Sequence, residues 1–355
     1  MSTSKITSVF LTLLLGFLGG VVLYFLTMPL PWIFGSLLII GGLSLWGRLK
    51  LTIPQNVRQA MLAVLGVLLG SGFTPHGADN LGQWVYTLGS IPFMVLAQIF
   101  CCQILLLVIM RKYNFPTRFF GGAAGGLLEM TLMARENGGD DRAVMVLHTL
   151  RIFLIVLLVP LYFRIFEGYT PSSINSTTGG LIDLSLLDMG LLVGAALFGY
   201  LGGKLTHLPA HAIMGPFICS ALVHYMGLTT AEPPYALIVF AQIVVGASLG
   251  TRFTGYSIRR IKKLFFKSFV ITCLLLSIAA GFAFVLWKIT GIQYYALLLA
   301  FVPGGMIEMS LIALALNIDV GFVTTHAIFR AFMVILIAPA LYSVLLKIRT
   351  MTHEK

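Results

Sequence analysis

Residues 125–134 read GGLLEMTLMA, and residues 304–313 read GGMIEMSLIA. Six of the ten positions are identical, and the other four exchange one side chain for a close relative. A glycine pair followed by a lone carboxylate is unusual in an apolar stretch. Occurring twice, 179 residues apart, it marks an internal duplication. The same separation pairs Asp140 with Asp319, Arg151 with Arg330, and Pro160 with Pro339. Nearer the start of each half, a separation of 180 pairs Pro29 with Pro209, Gly35 with Gly215, Gly66 with Gly246, Gly70 with Gly250, and Phe73 with Phe253. Gly19-Gly20 is matched to Gly202-Gly203. The chain therefore reads as a first membrane repeat over 1–166, a polar external linker over 167–183, and a second membrane repeat over 184–355.

Each repeat is almost wholly apolar. Of 355 residues, 58% are hydrophobic and 10% charged, with a mean hydropathy of +0.98. A soluble domain carries about 25% charged residues. The composition excludes a soluble enzyme, a disordered chain and a nucleic-acid-binding domain. A spanning helix needs about 20 apolar residues, and each repeat shows six apolar segments. The fold class is thus an all-α polytopic membrane protein. The net charge of +11 falls chiefly at segment ends, where Lys and Arg orient helices in a membrane. Cys101, Cys102, Cys219 and Cys273 lie inside apolar runs without CxxC spacing, which predicts free thiols and no metal framework. The apolar stretch that ends at Leu26 is too long for a signal-peptide core and precedes no A-x-A site, so it reads as the first spanning helix.

Charge in matched loops predicts the orientation of the halves. Loop 48–58 holds Arg48, Lys50 and Arg58, whereas its partner around 228–233 holds only Glu232. Loop 75–82 holds only Asp79, whereas its partner 252–267 holds Arg252, Arg259, Arg260, Lys262, Lys263 and Lys267. Loop 111–118 holds Arg111, Lys112 and Arg118, whereas its partner holds Lys288. Cytoplasmic loops collect Lys and Arg, so the repeats are predicted to be inverted. Inversion requires an odd number of crossings per half. One segment per half must then enter and leave on the same side, and the Gly-rich segments 117–134 and 294–316 fit. The prediction is about ten transmembrane helices plus two re-entrant or broken segments, with both termini cytoplasmic.

Four charges remain inside the apolar segments: Glu129, Arg151, Glu308 and Arg330. Such charges are costly in a bilayer, face protein or water, and usually mark function. Interrupted segments at corresponding places in two halves point to a transporter's site. Gly125, Gly126, Gly304 and Gly305 let a helix begin in mid-membrane, with free N–H groups that suit an anion. His148 lies three residues before Arg151, and His326 four before Arg330, so each His shares a helix face with its Arg. These ten residues form the expected substrate- or ion-binding set. The structural alternative is a buried Glu129–Arg151 pair and a buried Glu308–Arg330 pair. Asp140 and Asp319 read as N-caps, and Pro160 and Pro339 as tolerated kinks. The His207/His211 spacing is interrupted by Pro209, so no metal and no cofactor are expected. The basic stretch 257–267 reads as a positive-inside anchor, with anionic lipid or a partner as the other reading.

The two GGxxEM elements, the GxxxG segments at Gly66/Gly70 and Gly246/Gly250, Pro303, and the His–Arg tails together resemble the bacterial AbrB family of integral membrane proteins. The first copy departs from the second in having Ala124 where the second has Pro303. The resemblance covers essentially the whole chain and implies two copies of one hydrophobic repeat in the bacterial inner (plasma) membrane. Members carry the labels of regulator and of ammonia monooxygenase. The first implies an indirect effect on gene expression through partners, unlike the soluble DNA-binding regulator of the same name. The second needs a cluster of His ligands, and the seven His here do not form one in sequence. The expected function is a secondary transporter of a small solute, compatible with an anionic one, with an alternating-access site at the repeat interface. A membrane-embedded regulator ranks second and an enzyme last. The expected partners are the lipid bilayer and a small-molecule or ion substrate, without nucleic acid; a homo-oligomer is compatible with the sequence.

Overall fold

In a chain this apolar, no water competes for backbone groups along most of its length, so each segment closes its own N–H and C=O groups as helix. The computed structural model describes residues 3–28, 30–47, 49–73, 81–166, 185–208, 210–256, 258–316 and 318–353. The expected linker 167–183 lies outside these, as do Pro29, Gly77, Pro209 and Ser257. All regular structure among the described residues is helical. The first repeat supplies α1 (Thr3–Phe25), α2 (Pro31–Trp46), α3 (Gln55–Ser71), α4 (Leu81–Ile109), α5 (Phe115–Gly122), α6 (Leu127–Glu136) and α7 (Asp141–Phe166). The second supplies α8 (Leu186–Leu205), α9 (His211–Tyr225), α10 (Tyr235–Gly250), α11 (Ile258–Thr290), α12 (Tyr294–Phe301), α13 (Met306–Ala315) and α14 (Val320–His353).

Seven of the described helices are long and apolar enough to cross a membrane: those within α1, α4, α7, α8, α10, α11 and α14. With 16, 17 and 15 residues, α2, α3 and α9 are shorter. The chain is a multi-pass helical membrane protein. Its burial pattern fits lipid as solvent. Phe10, Phe100 and Phe198 stand exposed, while Arg151, His148, Gln98, Thr272 and Arg330 are buried.

The chain divides into two compact units that cut across the repeats. The first comprises Met1–Asp79, Leu157–Ile258 and Ser310–Gly321; the second comprises Asn80–Val156, Arg259–Met309 and Phe322–Lys355. In the first unit, helices cross where neither has a side chain. A Cβ on Gly19 or Gly35 would strike the other's backbone, and the same holds for Gly199 and Gly215. The counterpart of Gly19 is therefore Gly199, not Gly202, which has open space beside it. Gly66 of α3 sits on the carbonyl of Ile213 in α9, and Gly246 of α10 sits on the carbonyl of Ile33 in α2. Small residues let apolar helices approach closely enough for dispersion to hold them where hydrophobic drive is weak.

In the second unit, three contacts fix directions. Trp84 and Thr87, at the start of α4, meet His326, at the start of α14. Lys267, near the start of α11, lies over the ring of Tyr113, just past the end of α4. Phe115, at the start of α5, stacks on Tyr342, late in α14. Thus α4 and α11 run in opposite directions, although they occupy corresponding places in the two halves.

Candidate functional site

Both glycine-rich segments are broken. The first stops at Gly122 and restarts at Leu127; the second stops at Phe301 and restarts at Met306. In the first, the two short helices form a hairpin with a tied base. Asn114 caps α5 by accepting from the Thr117 amide at 3.2 Å, and its Nδ2 donates to the Gly138 carbonyl at 2.7 Å. The Asp140 amide donates to Thr117 Oγ1 at 2.7 Å, and Asp140 Oδ1 accepts from the Ala143 amide as the expected cap of α7. Arms of 8 and 10 residues reach about 12–15 Å, roughly half of a ~30 Å hydrocarbon core.

A helix break leaves carbonyls without partners on one side and amides without partners on the other. The buried arginines answer the first need. Arg151 donates to the carbonyls of Ala123 and Gly125, each at 3.0 Å. Arg330 donates to the carbonyls of Phe301 at 3.1 Å, Val302, and Gly304 at 3.1 Å. Ala123 and Gly125 correspond to Val302 and Gly304 at the separation that pairs the arginines. A cation at the C-terminal end of a short helix also meets the negative end of its dipole.

The glutamates answer the second need. Glu129 and Glu308 occupy the third helical position of α6 and α13, from which a carboxylate reaches back to its helix N-terminus. Each lies against its own glycine: a Cβ at Gly126 would run into Glu129 Oε2, and one at Gly305 into Glu308 Oε2. The second glycine of each pair leaves space for the carboxylate. Glu129 is partly exposed and forms no ion pair with Arg151 among the described residues. Glu308 is buried.

The two breaks lie against each other's partner helix. A Cβ at Gly125 would meet Val334 Cγ1 at 2.9 Å, and one at Gly304 would meet Ile155 Cγ2 at 3.0 Å. Ile155 and Val334 lie one turn beyond Arg151 and Arg330. Each long helix therefore caps its own half's break with an arginine and packs on the other half's break with an aliphatic side chain. The Arg151 and Arg330 guanidinium groups lie within coulombic range of each other.

The histidines do not match. His148 Nε2–H donates to the Phe120 carbonyl at 2.8 Å, and its Nδ1 accepts from Arg151 at 3.2 Å. The neutral ring satisfies both contacts, so His148 orients Arg151. His326 donates from Nδ1 to the Phe322 carbonyl at 2.7 Å, and its Nε2 meets Thr87 Oγ1 at 2.7 Å. One site residue escaped the sequence reading. Gln98, wholly buried in α4, has both amide atoms without a partner among the described residues. The signal was present, since an amide in the middle of an apolar run is expensive in lipid.

The chain matches the family model described as "Transition state regulatory protein AbrB" over residues 32–346. It is 25% identical over 351 residues to the Bacillus subtilis (strain 168) protein called "Uncharacterized protein YhjN", covering 92% of this chain and 90% of that one. It is 25% identical over 314 residues to the Escherichia coli (strain K12) protein called "Putative regulator AbrB", covering 88% and 87% respectively. No solved structure matches the chain.

Proposed function

The chain belongs to the AbrB family, and on that premise we propose that it is a secondary transporter of a small solute in the bacterial inner membrane, bound where the two helix breaks meet. The observation that carries this reading is the pairing of the breaks. Each half brings one helix break, one buried Arg and one Glu to the same unit, and each break lies on the other half's helix. Discontinuous helices meeting at mid-membrane expose half-helix ends to a bound solute and need little motion to open on either side.

The same reading makes the halves inverted repeats with about ten crossings and two re-entrant hairpins, and both termini inside. Two observations support it: the opposite directions of α4 and α11, and the tied base of the first hairpin. In this reading the chain is a carrier and not an enzyme, and it works in the bilayer without nucleic acid or cofactor.

Charge in the site constrains coupling. Two arginines and two glutamates sum to zero when all are ionised. A proton on either glutamate leaves a buried positive charge that a monoanion would compensate. Glu308→Gln should leave the protein folded and abolish proton-coupled uptake in vesicles. Unchanged pH-driven uptake by that variant would remove Glu308 from the coupling path. Stabilisation of the purified protein by candidate solutes, followed by vesicle uptake, tests the carrier reading itself, because a ligand that binds only the native state stabilises it by mass action.

The name of the Escherichia coli relative favours a second reading, a membrane regulator acting through partners. Arg259, Lys262 and Lys263 at the exposed start of α11 would form its contact surface. Neutralising these three should alter gene expression under this reading and leave solute uptake intact under the first.

A further inference from the structure

Beside the first break, three buried polar atoms are left without a partner among the described residues. Gln98 Oε1, Gln98 Nε2 and Arg151 Nε are buried and have no hydrogen-bond partner among the described residues. Buried polar groups are nearly always paired, because leaving one unpaired forfeits its hydration without return. Arg151 Nε belongs to the guanidinium that grips the carbonyls of Ala123 and Gly125, so it lies at the break. Gln98 is placed by register. After a short turn α5 runs back along α4, with Gln103 Nε2 donating to the Phe119 carbonyl at 3.3 Å. A Cβ at Gly122 would meet Cys102 Cβ at 3.2 Å. Gln98 lies one turn before Cys102 on the same face of α4, about 6 Å along its axis, level with residues 123–126.

The second break lacks this set. The buried α4 positions Ile91, Met94, Val95, Gln98, Cys102 and Leu106 correspond in spacing to Ser268, Ile271, Thr272, Leu275, Ala279 and Ala283 of α11, all buried. Leu275 stands where the first half has Gln98. The glycines, arginines and glutamates that shape both breaks are shared, and the unpaired amide belongs to one.

We propose that the first break is a subsite for a small 2-hydroxymonocarboxylate, which takes the α6 N-terminus that the Glu129 carboxylate now occupies. This rests on the carrier reading and names its substrate class. The ligand's carboxylate accepts from the first-turn amides of α6, from Arg151 Nε and from Gln98 Nε2. Its hydroxyl donates to Gln98 Oε1. A plain carboxylate leaves Oε1 unmatched, and an amine meets the Arg151 cation. Two carboxylates cannot share one helix end without repulsion, so the partly exposed Glu129 swings out of the break as the anion enters. The other ionisable groups about the break are Arg151, His148 bonded to it, Cys102, and Arg330 of α14.

Calorimetry and thermal unfolding of the purified full chain test this with lactate and glycolate against propionate and acetate. The hydroxy acids should bind at least roughly tenfold tighter than their deoxy counterparts, as expected when a site's polar groups lose their match. Gln98→Leu should raise the unfolding temperature of the ligand-free protein and abolish the preference for the hydroxyl. Glu129→Gln should tighten hydroxy-acid binding, because it removes the carboxylate that competes for the α6 N-terminus. Equal binding of lactate and propionate, or an unchanged preference in Gln98→Leu, overturns the proposal. Uptake of a solute of another class with no hydroxy-acid binding overturns it and leaves the carrier reading standing. No uptake of any solute overturns both.

Discussion

Arg151 and Arg330 show how a buried charge can be held by backbone carbonyls. Each spends its donors on carbonyls that a broken helix leaves open. Truncating either to Met should cost about 3 kcal/mol or more, since orphaned buried acceptors cost on the order of 1–3 kcal/mol each. Lys should not rescue it, because an ammonium cannot span two carbonyls as a planar fork does. Thermal unfolding in detergent reads both effects. Gln98→Leu should go the other way, stabilising the ligand-free protein by about 1–3 kcal/mol as an unpaired amide is removed. Glu232 gives a pH signature outside the spanning helices. Burial raises the Glu232 carboxyl above its ordinary range, against a smaller lowering by nearby His224. With its folded value above its unfolded one, its stability contribution is full at low pH and is lost as pH rises through the folded value. Glu232→Gln should therefore raise the unfolding temperature at pH 8 and leave it unchanged near pH 4.

At the scale of elements, glycine positions separate packing from composition. Gly199 of α8 faces the Gly215 carbonyl with no room for a methyl, whereas Gly202, on the same helix, has open space. Gly199→Ala should destabilise by about 1–3 kcal/mol through overpacking, and Gly202→Ala should be neutral or stabilising by up to about 1 kcal/mol. A thermal shift comparison of the two decides which glycine corresponds to Gly19. The sequence pairing of Gly19-Gly20 with Gly202-Gly203 went astray because two adjacent glycines look alike in a string. Only the crossing partner, Gly35 or Gly215, fixes the register. The breaks were legible for a better reason. A glycine pair before a carboxylate encodes both the end of one helix and the start of the next.

At the scale of the whole molecule, the opposite directions of α4 and α11 bear on topology. Gly82 lies at the exposed start of α4, and Lys262 at the exposed start of α11. In a cysteine-free background, a cysteine at Gly82 should react with an impermeant reagent from outside. One at Lys262 should react only after the membrane is opened. Equal reactivity would return the halves to a parallel arrangement. The compact units take segments from both repeats, so packing within each unit joins the two halves.

The sequence by itself determined the class, the duplication and the four charges within it, because lipid permits few charges and a duplication preserves their spacing. It placed Glu129, Glu308, Arg151 and Arg330 together as a functional set but left their partners open between ion pairs and a ligand. Only the tertiary structure decided that the arginines serve carbonyls, that the glutamates lie against their own glycines, and that His148 and His326 are not equivalents. Those outcomes depend on which helix ends converge and which side chains cross from one half to the other. Spacing along a chain cannot encode that, because hydrogen-bond partners such as the Ala123 and Val302 carbonyls are backbone atoms that every residue carries.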